Sequence, residues 1–432
     1  MKNILLVGNG GREHAIASSI YNSKSFNKNE SKIFCTLGSG GLDKFCEPIE
    51  IKPTEIQELK EFALDNEIDF TVVGPEVPLS LGIVDEFEKA GLKIFGPDKK
   101  AAQIESSKIF AKDLMMRNNI PTAKYNKFGC NDAAAAMKYL DGVKFPIVIK
   151  ADGLASGKGV VICKNRDEAM NTIDMFTKTK VFGNASDNFI IEEFLTGFEV
   201  SVLAVTDGEF FVMLPPSQDH KRIGEGDTGA NTGGMGAYAP LSEKLIDEEL
   251  LQDIRQLIIE PMLAAFKKDK IVYKGCLYCG LMITDDKKPY VIEFNCRFGD
   301  PETQAVLPLV KSDFLKLLEA SEAGTIKDYE LELKPAYSFC VVLASRGYPG
   351  EYQKGFKIDG LDINQNDVTV FHAGTKIKNG DVVTSGGRVL CVTAVSGESL
   401  KDAAEKAYKA AAKINFENKY FRRDIGNKSL SL

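Results

Sequence analysis

The sequence predicts a multidomain protein of α/β and α+β class that opens on a doubly wound parallel sheet. Three observations predict it. Short apolar strands alternate with helices over residues 1–100. A Gly-rich turn joins two apolar strands over 146–163, and strands return after residue 330, followed by a strongly periodic helix. At 432 residues the chain exceeds one compact core and should hold about three or four domains.

In the first unit, strands are predicted over 4–7, 33–36, 70–73 and 92–95, with helices over 12–21, 56–66 and 81–90. On the first helix Ala15, Ile16, Ser19 and Ile20 share the inward face. Sheets of this kind bind ligands at the carboxyl ends of their strands. A helix over 108–118, ended by Pro121, leads to a strand pair over 146–150 and 159–163, a helix over 166–177 and a strand over 189–191. A larger piece follows, with strands over 199–206, 210–214, 275–283 and 289–294 and helices over 245–266 and 313–320. Strands over 337–344, 369–373 and 388–395 then precede a helix that carries Leu400, Ala403, Ala404, Ala407, Tyr408 and Ala411 on one face. The boundaries read as 1–100, a connecting helix 101–122, then 123–191, 192–327 and 328–432.

A net charge of -7 weighs against nucleic acid or an anionic membrane as partner. No apolar run reaches the ~18 residues a bilayer span needs. The apolar stretch after Lys2 stops at Gly8-Asn9-Gly10, too soon for a signal peptide, so a cytoplasmic protein is expected. Nine scattered cysteines fit reduced, buried thiols. Cys276 and Cys279 lie three apart on a predicted strand, which points them to opposite faces. Three histidines without ligand spacing disfavour a zinc site or a Ser-His-Asp triad.

Four segments carry chemistry. Gly8-Asn9-Gly10-Gly11-Arg12-Glu13-His14 joins the first strand to its helix, where backbone N–H groups can meet a phosphate. Glu13 replaces the third Gly of a dinucleotide fingerprint, and no acid ends the second strand, so a phosphate-bearing ligand is favoured over NAD. A plain tight turn is the alternative. Lys150-Ala151-Asp152-Gly153-Leu154-Ala155-Ser156-Gly157-Lys158-Gly159 lies between two strands and reads as a hairpin lid over phosphates, or else as a flexible surface hairpin. In Ile191-Glu192-Glu193-Phe194-Leu195-Thr196-Gly197-Phe198-Glu199 a strand enters a hinge that offers backbone groups to an adenine edge, with a carboxylate suited to ribose hydroxyls. In Glu293-Phe294-Asn295-Cys296-Arg297-Phe298-Gly299-Asp300, strand alternation puts Glu293, Asn295 and Arg297 on one face and Ile292, Phe294 and Cys296 on the other. Glu and Asn oxygens suit Mg2+, and Arg297 suits a carboxylate or a phosphoryl group.

These segments, in this order, resemble the ATP-grasp ligases, and residues 1 to 426 are similar to the phosphoribosylamine–glycine ligase family. Further segments carry the likeness: Gly74-Pro75-Glu76-Val77-Pro78-Leu79, Gln218-Asp219-His220-Lys221-Arg222, Asn231-Thr232-Gly233-Gly234-Met235-Gly236-Ala237-Tyr238, Arg297-Phe298-Gly299-Asp300-Pro301-Glu302-Thr303-Gln304 and Ser385-Gly386-Gly387-Arg388. The resemblance implies an ATP-grasp core with a Gly-rich lid, and ATP-driven joining of glycine to 5-phosphoribosylamine through glycyl phosphate. It implies that Lys108 and Lys150 hold ATP phosphates under Gly157, Lys158 and Gly159. Glu192, Glu193 and Leu195 would meet the adenine and Glu199 the ribose. Glu293 and Asn295 would hold Mg2+, or Mn2+ in its place. Arg297 and Asp219 would serve glycine beside Lys150 in the chemistry. Gly10, Gly11, Arg12, Glu76 and Asp300 would bind phosphoribosylamine. The strand over 275–283 lacks the acid that many ATP-grasp enzymes add to the metal shell. A monomer is expected, with small molecules as its partners and room for transient contact with a preceding enzyme. The competing readings are an ATP-grasp enzyme for another acid such as bicarbonate, a dehydrogenase, and a catalytically dead scaffold.

Overall fold

Ile4, Leu5, Leu6 and Val7 are wholly buried, which places their strand at the centre of a sheet covered on both faces. In the computed structural model, which describes residues 2–155, 159–180, 182–363 and 365–430, that strand is Asn3–Val7. Its sheet is parallel, in the order Glu47–Ile49, Lys32–Thr36, Asn3–Val7, Phe70–Val73, Ile94–Phe95. Helix Gly11–Tyr21 buries Arg12, Glu13 and His14 as well as its apolar residues, because the last sheet of the chain also packs against it. The helix expected over 81–90 is two helices, Glu76–Leu81 and Ile83–Lys89. Gly82 separates them at φ +95, a left-handed turn that glycine takes without a Cβ clash.

Tyr125–Gly129, Asn188–Glu193, Ile147–Ala151 and Val160–Cys163 form a small antiparallel sheet in that order. Helices Ala133–Tyr139 and Arg166–Asp174 close its own core around Ile149, Phe176 and Phe189. Lys150 pairs across the hairpin with Val160, so the Gly-rich segment is the connection at one end. A second antiparallel sheet runs Phe211–Met213, Phe198–Thr206, Gly275–Ile283, Pro289–Asn295. As strand alternation requires, Cys276 and Cys279 enter two different cores.

The expected facing of Ile292 needs correction. The register slips between Gly280 and Leu281, so that Gly280 pairs with Glu293 and Leu281 with Val291. This bulge buries Val291 with Phe294 and Cys296 and leaves Ile292 half-buried, because the extra residue shifts the alternation by one. Glu293 and Asn295 keep their common face beyond it.

The last sheet draws on two distant stretches of chain. Its order is Gln218–Asp219, Gly236–Ala239, Tyr337–Ser345, Arg388–Ser396, Val368–His372, with Lys419–Tyr420 paired to Tyr337–Ser345. The first two strands come from the Gly-rich middle of the chain and were not foreseen. Helix Leu400–Lys413 buries Ala403, Ala407 and Ala411 against this sheet. Tyr238 stacks on Phe339 at 6.5 Å, and Phe339 meets Tyr408 of the helix at 5.6 Å. No helix among the described residues is long and apolar enough to cross a membrane.

Phe339 therefore joins the middle of the chain to its C-terminal layer. Phe339→Ala should cost about 3–5 kcal/mol, the usual range for emptying a packed phenylalanine site. Urea denaturation followed by tyrosine fluorescence measures it, and a loss under 1 kcal/mol would contradict the packing role.

Candidate active site

The Gly-rich turn at the first strand is organised by the residue that breaks its fingerprint. Glu13 accepts the Gly10 N–H at 2.7 Å through one oxygen and pairs with Arg12 Nε at 2.7 Å through the other. Its side chain fills the space that a Cβ at Gly8 or Gly74 would need, with the Glu13 Cγ 2.6 Å from each such position. Since the Gly10 N–H is thus used, Gly11, Arg12 and Glu13 are left as the backbone donors of the first helical turn. Arg12 also donates to the Phe298 carbonyl at 3.2 Å, which carries this loop to the Arg-Phe-Gly-Asp segment.

A second group of charges lies where the small sheet meets the central one. Ser107 caps helix Lys108–Arg117 by accepting the Phe110 N–H at 3.1 Å. Asp152, at the base of the hairpin, accepts from the Ser107 hydroxyl at 3.0 Å and the Ile109 N–H at 2.8 Å. The helix so anchored presents Lys108 and Lys112 one turn apart on one face. Lys112 reaches Glu192 at 2.6 Å, and Lys150 pairs with the other Glu192 oxygen and donates to the Ile292 carbonyl at 3.1 Å. Burial would raise the Glu192 carboxyl, but Lys150 and Lys112 outweigh it and hold it below the usual carboxylate range. Burial pushes the Lys108 ammonium down, against the pull of Glu293.

Lys221 stands 3.2 Å from both Glu199 and Glu293. Chiefly through Lys221, and against burial, the Glu293 carboxyl is held down at about 2, with help from Lys150 and Lys108. Asn295 Oδ1 accepts from Arg297 at 3.3 Å. Arg297 itself is clamped by Glu105 at 2.8 Å and Glu76 at 3.5 Å, and donates to the Phe298 carbonyl. Its buried Nε has no hydrogen-bond partner among the described residues. Glu105 is fixed in turn by the Cys296 N–H at 2.8 Å.

Asp300 and Asp219 line the third side. Arg388 pairs with Asp300 at 2.8 Å and donates to the carbonyls of Asp300 and Gly233, at 2.8 and 2.6 Å. Asp219 accepts the His220 N–H at 2.6 Å. Burial first, and then the charge of Glu302, raise its carboxyl well above the ordinary value. Glu302 accepts hydroxyls from Ser201 and Tyr278 at 3.0 and 2.8 Å.

Of the residues expected from sequence, Lys108, Lys150, Glu192, Glu199, Glu293 and Asn295 therefore form one linked group. Arg12, Glu76 and Arg297 adjoin it, Asp300 lies within the field of Arg297, and Asp219 faces Lys221 and Arg388. Glu193 turns outward and accepts the Lys124 N–H at 2.9 Å, and Leu195 is half-buried at the hinge. Gly157 and Lys158 lie outside the described residues. Sequence reasoning gave no role to Glu13, Glu105, Lys112 or Lys221. The spacing of Lys112 from Lys108 was the one available signal among them. Among the described residues no group of three His, Cys, Asp or Glu side chains is arranged for a metal. A low-pKa carboxylate beside an amide oxygen nonetheless suits an ion such as Mg2+ that takes most of its ligands from phosphate and water.

Three profiles of one family match the chain: phosphoribosylglycinamide synthetase N domain over residues 2–105, ATP-grasp (A) domain over 106–303 and C domain over 338–428. The phosphoribosylamine–glycine ligase of Caldanaerobacter subterraneus subsp. tengcongensis is 49% identical over 422 residues, covering 98% of this chain and 99% of that one. A crystal structure of phosphoribosylamine–glycine ligase from Thermotoga maritima superposes with a TM-score of 0.82 at 32% identity, covering 98% of this chain and 99% of that one. Biotin carboxylase from Campylobacter jejuni, at 15% identity and a TM-score of 0.75 over 100% of this chain and 95% of that one, shares the fold alone.

The Lys221–Glu293 pair has a consequence for acid stability. A carboxylate with a depressed folded pKa stabilises the fold above its unfolded pKa and stops doing so as pH falls towards about 2. Lys221→Met should therefore lower the melting temperature at pH 6–7, with the deficit against the parent shrinking below pH ~4. A deficit independent of pH would show that Lys221 acts by packing and not by charge.

Proposed function

The chain belongs to the phosphoribosylglycinamide synthetase family, and we propose that its cleft runs that family's ligase reaction with the residues just described. The protein is an ATP-grasp ligase of purine biosynthesis: a phosphoribosylamine–glycine ligase that consumes ATP. The glycine carboxylate takes the γ-phosphoryl group of ATP, releasing ADP and leaving glycyl phosphate. The amine of 5-phosphoribosylamine then attacks the acyl carbon, phosphate leaves, and glycinamide ribonucleotide forms. A carboxylate becomes a competent acyl donor only once its oxygen can leave as phosphate. The protein's task is positioning and charge neutralisation, with no protein nucleophile required.

The observation that carries this reading is the convergence of Lys108, Lys150, Glu293, Asn295 and Arg297 where the small sheet meets the central one. Lys150 and Lys108 neutralise the triphosphate, and Gly157, Lys158 and Gly159 are its further phosphate ligands. Backbone groups at Glu193 and Leu195 take the adenine edge while Glu192, spent on two lysines, holds the site together. Glu199 takes the ribose. Glu293 and Asn295 would hold Mg2+, with Mn2+ an acceptable substitute, and the ion would offset charge on the phosphates. Arg297, already oriented by Glu105 and Glu76, offers N–H groups to the glycine carboxylate, and Asp219 receives the glycine ammonium. Gly11 and Arg12, in the turn shaped by Gly10 and Glu13, take the phosphate of phosphoribosylamine beside Glu76 and Asp300.

ADP release should require Mg-ATP, glycine and phosphoribosylamine made in place from ribose 5-phosphate and ammonia. Turnover with bicarbonate or another acid instead of glycine would move the substrate and keep the class. Glu293→Ala should abolish turnover in a folded protein. Arg297→Met should cost about 3–4 kcal/mol of transition-state stabilisation, the scale of one preorganised charge contact. A rise confined to the Michaelis constant for glycine would make Arg297 a binding residue only.

A further inference from the structure

Lys112 takes no part in the mechanism above, yet it is the most deeply buried lysine of the site, at 2% exposure. An ammonium group so enclosed is costly unless it is fully matched. It is matched on three sides. Glu192 lies at 2.6 Å, the Thr122 hydroxyl accepts at 2.7 Å, and the Tyr125 ring centre is 5.8 Å away. Thr122 passes its own proton to the Val291 carbonyl at 2.7 Å, one residue before the Ile292 carbonyl that accepts from Lys150. Lys112 is thus satisfied by groups of the protein itself. Besides the Tyr125 ring and the Ala123 carbonyl, at 3.4 Å, its partners are Glu192, which also holds Lys150, and Thr122, which is tied to the strand that accepts from Lys150.

We infer that Lys112 is a positioning residue of the nucleotide site, which occupies one oxygen of Glu192 and so keeps the Lys150 ammonium from being neutralised by its own counter-ion. One carboxylate facing two ammonium groups leaves the cluster with a net charge of plus one, directed at the cleft through Lys150. Without Lys112 the same carboxylate cancels Lys150 outright, and the attraction for a polyphosphate falls with it. The inference rests on the reading of Lys150 as a phosphate-binding lysine.

Calorimetric titration with Mg-ATP tests it, alongside Michaelis constants in the ligase assay. Lys112→Met should weaken Mg-ATP binding about tenfold, equivalent to about 1.4 kcal/mol, with the constant for glycine within about twofold of the parent. Adding Glu192→Gln restores the plus-one balance and should recover binding to within about threefold, a non-additivity that a packing role does not produce. Equal binding by Lys112→Met and parent, or a double variant weaker than the single one, would overturn the inference. Lys150→Met is the reference: if it binds Mg-ATP like the parent, the phosphate reading of Lys150 fails. If Lys150→Met loses binding and Lys112→Met does not, the role of Lys112 alone is wrong. Should Lys112→Met not fold, Thr122→Val loosens the same ammonium and should weaken Mg-ATP binding about threefold, and unchanged binding there would be decisive against it.

Discussion

Glu192 sits at the end of its strand with one oxygen on Lys112 and the other on Lys150, and the placement of four elements follows from that charge balance. Lys112 brings helix Lys108–Arg117, Lys150 brings the lid strand, and the carbonyls of Val291 and Ile292 bring the strand that ends in Glu293 and Asn295. An isolated buried carboxylate would shift towards neutrality or disrupt its surroundings, so all these partners must be present together. Asp152 adds a tie from the hairpin base to the start of the same helix. The small sheet is therefore registered on the central one by ionic and capping contacts, which fix distances more sharply than apolar packing does.

The glycines of the site answer two different demands. At the first turn, Gly8 and Gly74 make room for the Glu13 side chain, and Gly8 also adopts φ +115. A Gly-rich loop after a first strand suggests a backbone bared for phosphate. Here part of that composition serves an internal carboxylate that shapes the loop. The Gly233-Gly234 pair is similar: a Cβ at Gly233 would lie 2.9 Å from the Arg388 guanidinium carbon, and Gly234 sits at φ +111 against Asp219. Both turns are narrow because a charged side chain passes through them, Glu13 of the same loop at the first and Arg388 from a distant segment at the second.

Local pattern made the alternating strands and helices of the first unit legible, along with the periodic helix near the end and the two faces of the Cys276–Cys279 strand. It could not foresee the bulge at Ile292, since a one-residue insertion leaves no mark in an apolar run. Nor could it identify Gly236–Ala239 as a strand, because that segment is held by pairing with Tyr337–Ser345 about a hundred residues later. The functional carboxylates and lysines were visible by type and spacing. Their partners were not: Glu105, Lys112 and Lys221 look like solvated charges until the fold encloses them. Tertiary burial, which no short window encodes, turns an ordinary Glu-Lys pair into a device that sets a site's charge.

The two ends of the cleft carry opposite electrostatic character, and that order suits the reaction proposed for it. At the lysine end, ammonium groups outnumber their nearest buried carboxylate, which favours a polyphosphate. At the other end Arg297 is shared between Glu76 and Glu105, so it contributes little net field there and acts as a rigid, directional donor. Close by, Asp219 and Glu302 repel one another strongly enough to keep the Asp219 carboxyl raised, on top of the effect of burial. A cation placed beside them relieves that repulsion, and a second anion worsens it. In the reaction proposed, a molecule with one carboxylate and one ammonium suits both halves: its carboxylate meets the directional N–H groups of Arg297 and its ammonium the Asp219 side. On the same proposal, an acid with no positive group, such as bicarbonate, gains nothing from the second half of that arrangement.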